Sequence, residues 1–171
     1  NFDKTSLQVE VEAGVILETL QDEAQKNGLL FPIDLAAKGS CQIGGNIATN
    51  AGGLKLIRYD GMREKVLGVE VVTGTGEILD LNFGVRKNNS GYDLKQLFIG
   101  SEGTLGIITK ATLKLSPRPG DFKVACLGVS SFKEILQIFQ LTHDSKLSVS
   151  AFEFFTGQAH QAVLDCKGKD G

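Results

Sequence analysis

The sequence contains few of the residues that build disulfide frameworks and metal sites. Its three cysteines, Cys41, Cys126 and Cys166, are widely separated and form no Cys-x-x-Cys pair. An odd number at such spacing argues against a disulfide framework and favours a reducing compartment. The two histidines, His143 and His160, do not lie at ligand spacing with other donor residues. We therefore expect no metal site within these 171 residues.

The sequence also lacks an excess of positive charge and long apolar runs. The formal net charge is −2, and no basic run of five or more residues occurs, so we expect no binding to nucleic acid or to an anionic membrane surface. No apolar stretch approaches the roughly 20 residues of a membrane-spanning helix. No signal-peptide pattern precedes the first predicted strand. These absences favour a cytoplasmic protein, and because residue 1 is asparagine we expect a piece of a longer polypeptide.

What the sequence does have is hydrophobic periodicity in an α+β order. Hydrophobic residues make up 42% of the chain, which is enough for a core. In the strand predicted at 105–115, Ile107, Ala111, Leu113 and Leu115 fall on one side. The other elements predicted before residue 118 are a strand at 7–11, a helix at 16–26, a hairpin with strands at 65–72 and 77–81 around Gly74-Thr75-Gly76, and a short helix at 93–99.

A proline- and glycine-rich break divides the chain into two predicted parts. Pro117-Arg118-Pro119-Gly120 predicts a domain boundary between residues 1–118 and 119–171. The second part has strand patterns at 122–129 and 149–155, each followed by a helix pattern, at 132–141 and 158–164. This β-α-β-α order suits half of an α+β sandwich. Two strands alone would leave an apolar face wet, so we expect partner strands in sequence beyond residue 171.

The densest run of small residues lies at 39–53 and reads Gly-Ser-Cys-Gln-Ile-Gly-Gly-Asn-Ile-Ala-Thr-Asn-Ala-Gly-Gly. Glycine permits positive φ and leaves N–H groups uncovered, so several of them can point at one anion. This chemistry predicts a cradle for the diphosphate of a cofactor. A helical turn at 46–51, opened by Gly44-Gly45, would add free N–H groups. The backbone candidates are Gly44, Gly45 and Gly52, and the side-chain candidates are Ser40, Thr49 and Asn50.

Two familiar nucleotide motifs do not fit this loop. Gly39 and Gly44 have the gap of a Walker A motif, but Gly45-Asn46 replaces the lysine and the hydroxyl residue. No Gly-x-Gly-x-x-Gly follows a strand and opens a long helix, which argues against a Rossmann fold. A tight crossover of small residues without a ligand remains the alternative reading.

A second glycine block lies at 100–107 and reads Gly-Ser-Glu-Gly-Thr-Leu-Gly-Ile. As a bare pattern it is a turn that leads into a strand. Alternatively, Glu102 is a buried acceptor for a ligand or for loop amides.

Together the two blocks resemble the FAD-linked oxidases of the vanillyl-alcohol-oxidase (PCMH) type. Residues 32–53, which open Pro-Ile-Asp and close Thr-Asn-Ala-Gly-Gly, look like the second FAD-binding segment of that family. Residues 89–109, which contain Leu-Phe-Ile-Gly-Ser-Glu-Gly-Thr-Leu-Gly-Ile-Ile-Thr, are similar to its D-2-hydroxyglutarate dehydrogenase branch, beside glycolate oxidase flavoprotein subunits and D-lactate dehydrogenases. Residues 150–154, Ser-Ala-Phe-Glu-Phe, resemble the start of the substrate-cap domain.

The resemblance implies an α+β fold and FAD as the cofactor. Residues 1–118 would form the second subdomain of a PCMH-type FAD-binding domain, and residues 119–171 would begin a ferredoxin-like α+β cap. The first glycine block would wrap the diphosphate and run beside the isoalloxazine, and the second would meet the cofactor from the other side. The implied cofactor-binding residues are Pro32, Gly39, Ser40, Ile43, Gly44, Gly45, Ala48, Thr49, Asn50, Gly52, Glu102, Gly106 and Ile107.

The resemblance also implies the chemistry of a D-2-hydroxyacid dehydrogenase. The substrate would give its Cα hydride to flavin N5 while a base takes the hydroxyl proton, and the electrons would pass to a protein or quinone acceptor. The residues at 89–109 favour D-2-hydroxyglutarate over D-lactate and glycolate, and a eukaryotic source would imply mitochondria. The first FAD subdomain would precede residue 1, and the catalytic and carboxylate-binding residues would follow residue 171. We therefore expect no catalytic residue in this segment and no activity from it alone.

Two positions depart from the family pattern. Asp60 stands where many relatives have glycine, although Gly61 can supply the turn, and Asn88 stands where close relatives often have aspartate. Two other functions stay open on the sequence. One is a flavin- or nucleotide-binding module without catalysis, and the other is an interaction protein that keeps the fold without the cofactor.

Overall fold

The computed structural model describes residues 1–82 and 90–167. The predicted polar loop at 86–91 and the departure at Asn88 therefore fall wholly or largely outside the described residues. The strands are β1 (Phe2–Asp3), β2 (Gln8–Glu12), β3 (Leu29–Leu30), β4 (Val66–Thr73), β5 (Ile78–Asp80), β6 (Gly106–Lys114) and β7 (Ser116–Pro117). The helices are α1 (Leu17–Lys26), α2 (Ile43–Ala48), α3 (Leu56–Tyr59), α4 (Met62–Lys65), α5 (Lys95–Phe98), α6 (Phe132–Asp144) and α7 (Gly157–Lys167).

Five strands form one antiparallel sheet in the order β1-β2-β6-β4-β5. The long strand β6 lies at its centre and pairs with β2 on one side and β4 on the other, where Ala111 faces Val11 and Val69. Strands β3 and β7 form a separate antiparallel pair. An antiparallel sheet with helices outside it confirms the predicted α+β class.

The core lies between this sheet and the helices α1 and α2. In α1 the buried residues Leu17, Leu20 and Ala24 are spaced by three and four positions, which places them on one face. Ile43 and Ile47 of α2 are fully buried in the same cluster. Each such aliphatic side chain contributes about 1.5–3 kcal/mol through burial. The helix α1 ends before Asn27 and a left-handed glycine, as predicted from the sequence.

A β-bulge interrupts the alternation of β6. The pairing of β6 with β4 skips Thr109, which is the extra residue. One inserted residue reverses which side chains point inward. Ile108 is therefore buried with Ala111 and Leu113, whereas Ile107 is 63% exposed. The prediction that Ile107 lies on the core side of this strand is wrong for that reason.

The chain after β7 forms α6 and α7, close to the two predicted helices. The helix α6 begins after Ser131, whose hydroxyl oxygen accepts the N–H of Glu134 at 3.3 Å as an N-cap. The strands predicted at 122–129 and 149–155 are absent from the described residues, so that prediction is wrong. No described strand lies beside these segments to pair with their backbone, and residues 121–130 are exposed throughout.

Candidate cofactor-binding site

The start of α1 positions the first glycine block. This helix has no side-chain cap, and instead the N–H groups of Leu17 and Glu18 donate to the carbonyls of Cys41 and Lys38, both at 3.0 Å. The Glu18 carboxylate also binds the Lys38 ammonium at 3.1 Å, and this hydrogen bond raises the pKa of Lys38. A Cβ on Gly39 would lie 3.2 Å from the Glu18 carboxylate. The loop therefore packs closely against the helix end.

The helix α2 begins at Ile43, three residues earlier than the predicted helical turn. Its first two N–H groups are already paired, because Ile43 donates to the Val15 carbonyl at 2.9 Å and Gly44 to the Ala13 carbonyl at 2.8 Å. The prediction that the N–H groups at the start of this helix are free to bind an anion is therefore wrong for Ile43 and Gly44. The N–H of Gly45 is the next along the chain, and it has no acceptor within residues 1–82 and 90–167.

Some of the predicted site glycines are explained by packing within the protein. A Cβ on Gly44 would lie 2.7 Å from the Ala13 Cβ, and a Cβ on Gly106 would lie 2.7 Å from Val71 Cγ1. Contacts this short require a shift of the neighbouring atoms. These two positions need glycine whether or not a ligand binds.

Two other predicted site glycines have room for a Cβ. No described atom lies within 4 Å of the position that a Cβ on Gly45 would take. At Gly52 the nearest atom is Leu56 Cδ1, at 3.6 Å. Neither backbone has a positive φ. Protein packing does not explain glycine at these two positions, and both leave the main chain open to a ligand.

The three predicted polar side chains are all exposed. Ser40 and Thr49 donate their hydroxyl protons to backbone carbonyls, at 3.3 Å and 2.9 Å, and keep their oxygen lone pairs. Asn50 has a left-handed φ of 48°, and its Oδ1 accepts the N–H of Arg63 at 3.1 Å. The Nδ2 of Asn50 has no acceptor in the described part of the chain, so Asn50 is the side-chain donor that remains available.

The structure brings the two glycine blocks together through their backbones. The N–H of Gly100 donates to the Ile47 carbonyl at 3.1 Å, and the N–H of Glu102 donates to the Ala48 carbonyl at 2.9 Å. Glu102 has a φ of 52° and an exposed side chain. The reading of Glu102 as a buried acceptor is therefore wrong, because its main chain makes the contact while its carboxylate faces solvent.

Exposed apolar side chains follow each of the two glycine blocks in the sequence. Ile107 is 63% exposed and Leu105 is 51% exposed, just after the second glycine turn. Leu54 follows the first block and is 54% exposed. In contrast, Pro32 and Ile43 are buried as whole residues, so the structure gives neither of these two predicted site residues surface for a ligand to contact. The exposed set would suit a flat aromatic ring.

A separate cleft of about 590 Å³ lies between α1, β3 and residues 118–122. None of the predicted cofactor-binding residues lines it. It contains the ion pair of Lys55 with Asp34 at 2.9 Å, and the Lys55 ammonium lies 5.9 Å from the centre of the Phe122 ring. Within the described ranges no group of three or more histidine, cysteine or acidic residues could hold a metal ion.

Arg63 is the residue at this junction that the sequence did not reveal. Its guanidinium donates to Gln96 and Ile99, which are 33 and 36 positions away, and its own N–H donates to Asn50. A single arginine in a polar stretch carries no local signal for contacts at that distance in sequence. Only the folded arrangement identifies it.

Comparison with known proteins places these features in context. Residues 1–82 match the family model described as an FAD binding domain. The D-2-hydroxyglutarate dehydrogenase of Xanthomonas citri pv. viticola is 49% identical over 164 residues, 96% of this chain and 34% of that protein. A mitochondrial protein of Schizosaccharomyces pombe, named as a candidate D-lactate dehydrogenase, is 44% identical over 163 residues, 95% of this chain and 31% of that protein.

A solved structure of alkyldihydroxyacetonephosphate synthase has a TM-score of 0.62 at 28% sequence identity, over 71% of this chain and 21% of that chain. This chain spans about a third of the length of the curated relatives described above. Among the described residues, no helix combines the length and apolar character needed to cross a membrane.

Proposed function

Because the chain belongs to the FAD-linked oxidase family, we propose that it forms part of the FAD site of a 2-hydroxyacid dehydrogenase. The observation that carries this proposal is the junction of the two glycine blocks. There the open backbone of Gly45 and the Nδ2 of Asn50, which has no acceptor in the part of the chain described, lie on a segment that bonds directly to the Gly100 turn. The 49% identity to a D-2-hydroxyglutarate dehydrogenase supports that substrate.

The residues present fit FAD in their chemistry. A diphosphate needs N–H donors that it can approach closely, and within residues 1–82 and 90–167 the N–H of Gly45 has no acceptor and no side chain over it. Asn50 offers a second donor on the same segment. A flavin ring needs apolar surface, and Ile107 and Leu105 present it beyond the second turn. We assign the diphosphate to the first block and the ring to the apolar residues that follow the second.

The cofactor and the residues of this chain would have separate roles. When bound, FAD supplies the acceptor for the hydride that leaves the substrate Cα. The backbones of Gly45 and Gly52 and the Asn50 amide hold and orient the cofactor. Ile107 covers the ring from water. No residue of this chain is assigned as the base, and we propose that the base and the groups that bind the substrate carboxylate lie outside residues 1–171.

The proposal has three further parts. We propose that residues 1–118 are the FAD-binding part and that residues 119–171 begin the substrate cap. The reduced cofactor would pass electrons to a separate protein or quinone acceptor. A cytoplasmic or mitochondrial location is proposed for the whole protein, and the S. pombe relative named above is mitochondrial.

The test is an absorbance spectrum of the full-length protein before and after addition of D-2-hydroxyglutarate. Flavin absorbance bands at about 370 and 450 nm that bleach with this substrate would support FAD as the cofactor and D-2-hydroxyglutarate as the substrate. No bands after incubation with FAD would overturn the proposal. Turnover by the 171-residue chain alone would contradict the assignment of the base to another part of the protein.

The second candidate is a D-lactate dehydrogenase, and the 44% identity to the S. pombe relative favours it. The same spectrum separates the two. Bands that stay intact with D-2-hydroxyglutarate and bleach with D-lactate would select this candidate. Bands that persist with both acids and with glycolate would instead favour a flavin-binding module without hydroxyacid oxidation.

A further inference from the structure

Arg63 contacts both glycine-bearing segments of the candidate site. Its Nη1 donates to the backbone carbonyl of Gln96 at 3.1 Å and to the side-chain Oε1 of the same residue at 2.8 Å. Its Nη2 donates to the carbonyl of Ile99 at 2.6 Å. Its main-chain N–H donates to Asn50 Oδ1 at 3.1 Å. One residue thus bonds to the end of the first block and to the helix that precedes the second.

The guanidinium bonds lie directly before the turn that carries the second block. Gly100 follows Ile99 with a left-handed φ of 82°. A Cβ on Gly100 would lie 3.3 Å from Arg63 Nη2 and 3.4 Å from the Asn50 Cβ. Arg63 and Asn50 therefore both border the space beside Gly100, and a side chain at residue 100 would push against them. The backbone bonds of Gly100 and Glu102 to α2 begin at this point.

The chemistry of these contacts requires arginine. The planar guanidinium of Arg63 donates to acceptors on Gln96 and Ile99 at once. A lysine ammonium is a point charge on a flexible side chain and does not have this fixed geometry. The bonds are charge-assisted, and the carbonyls they meet lie at the C-terminal end of α5, where a cation is favoured. The N–H of Arg63 also donates to Oδ1 of Asn50, and Nδ2 of the same amide has no acceptor among the described residues.

We infer that Arg63 is a positioning residue for the FAD site, which fixes the Asn50 donor and the Gly100–Ile107 turn relative to each other. The inference rests on the proposed function. Arg63 does not need to touch the cofactor for this role. Loss of the Arg63 guanidinium should let the segment that carries Asn50 move relative to the Gly100–Ile107 turn. The flavin would then bind less tightly, and the surroundings of its ring would vary more from molecule to molecule.

The test uses the full-length protein with Arg63→Lys, Arg63→Met and the matched control Arg58→Met. Arg58 lies on the neighbouring helix α3, and its guanidinium makes one long bond, 3.4 Å, to the Ser148 carbonyl. FAD affinity is measured by quenching of flavin fluorescence, the ring environment by visible circular dichroism of the bound flavin, and the junction by hydrogen exchange at the Gly100 and Glu102 amides.

We expect both Arg63 variants to bind FAD more weakly, on the order of tenfold, with altered flavin dichroism and faster exchange at the two amides. Arg58→Met should match the wild type in all three. FAD affinity and dichroism equal to the wild type in Arg63→Lys would overturn the inference while the proposed function stands. A wild-type protein that binds no FAD would overturn both, and faster amide exchange in the variants would then show a purely structural link.

Discussion

In the proposed FAD site, Gly45 is a position where fold stability and cofactor binding make opposite demands. Glycine inside a helix costs about 0.5–1 kcal/mol relative to alanine. Gly45 lies within α2, has no positive φ and has open space where a Cβ would stand. Gly45→Ala should therefore raise the free energy of unfolding of the apoprotein by about 0.5–1 kcal/mol.

The same methyl group should weaken FAD binding. In the proposed site the diphosphate would bind at the N–H of Gly45, which has no acceptor among the described residues, and the new Cβ would occupy the open space at this residue. A hydrogen bond to a charged group contributes about 1.5–3 kcal/mol. Its loss would weaken FAD binding by about 10- to 100-fold. A protein that is more stable without the cofactor and binds it more weakly is the expected signature of Gly45→Ala.

The assay pairs urea unfolding of the full-length apoprotein with a fluorescence titration of FAD. Gly157→Ala is the matched control, because Gly157 also lies in a helix, as the first residue of α7, and also faces open space among the described residues. It should leave FAD affinity unchanged. Gly44→Ala is the contrasting variant, because its Cβ would lie 2.7 Å from that of Ala13. It should destabilise the apoprotein by about 1–3 kcal/mol.

Two results would refute this reasoning. If Gly45→Ala binds FAD as tightly as the wild type, then the cofactor does not approach the chain at this point. If Gly45→Ala loses stability as Gly44→Ala does, then the open space at Gly45 is filled by another part of the full-length protein. In either case Gly45 would no longer carry the proposed function.

Two further predictions concern the fold. Ile108→Ala should cost about 2–5 kcal/mol of unfolding free energy, because Ile108 is only 7% exposed, whereas Ile107→Ala should change stability by less than about 0.5 kcal/mol. Urea unfolding of both variants checks this, and equal losses would contradict the bulge at β6. Burial lowers the pKa of Lys65 in the folded protein below 10.5, although the negative charge of Asp60 opposes this shift. The unfolded state therefore binds more protons than the folded state between the folded and the unfolded pKa of Lys65. The free energy of unfolding should rise with pH over that interval. Lys65→Met should flatten that rise in urea midpoints measured from neutral to alkaline pH, and an unchanged slope would show that Lys65 does not cause it.

The sequence predicted those elements whose signals are local. The helix α1 has apolar residues at helical spacing and ends before Asn27 with Gly28 after it, and the hairpin of β4 and β5 has glycines in its turn. The bulge at Thr109 was not predicted, because it depends on how β6 pairs with β4 rather than on β6 itself. Alternation at 122–129 indicated a strand, but a strand also needs a neighbour to accept its backbone bonds.

For the site, composition located the loop but could not distinguish between its glycines. Gly44 and Gly45 are adjacent and identical in sequence, and both looked equally suited to face a phosphate. The structure separates them, because Ala13 lies against Gly44 and nothing described lies against Gly45. A glycine that is required by packing would be present in a protein with no cofactor at all.

This distinction bears on the alternative in which the glycine loop is only a tight crossover. That reading explains Gly44, since a Cβ on this residue would clash with Ala13. The crossover reading does not explain why residue 45 is glycine, because alanine would fit at this position and would make the helix more stable. Glycine makes the helix less stable than alanine would, but it leaves the backbone N–H uncovered. A backbone that binds a ligand needs such an uncovered N–H. The two variants at Gly44 and Gly45 therefore separate the crossover reading from the cofactor site within one short helix.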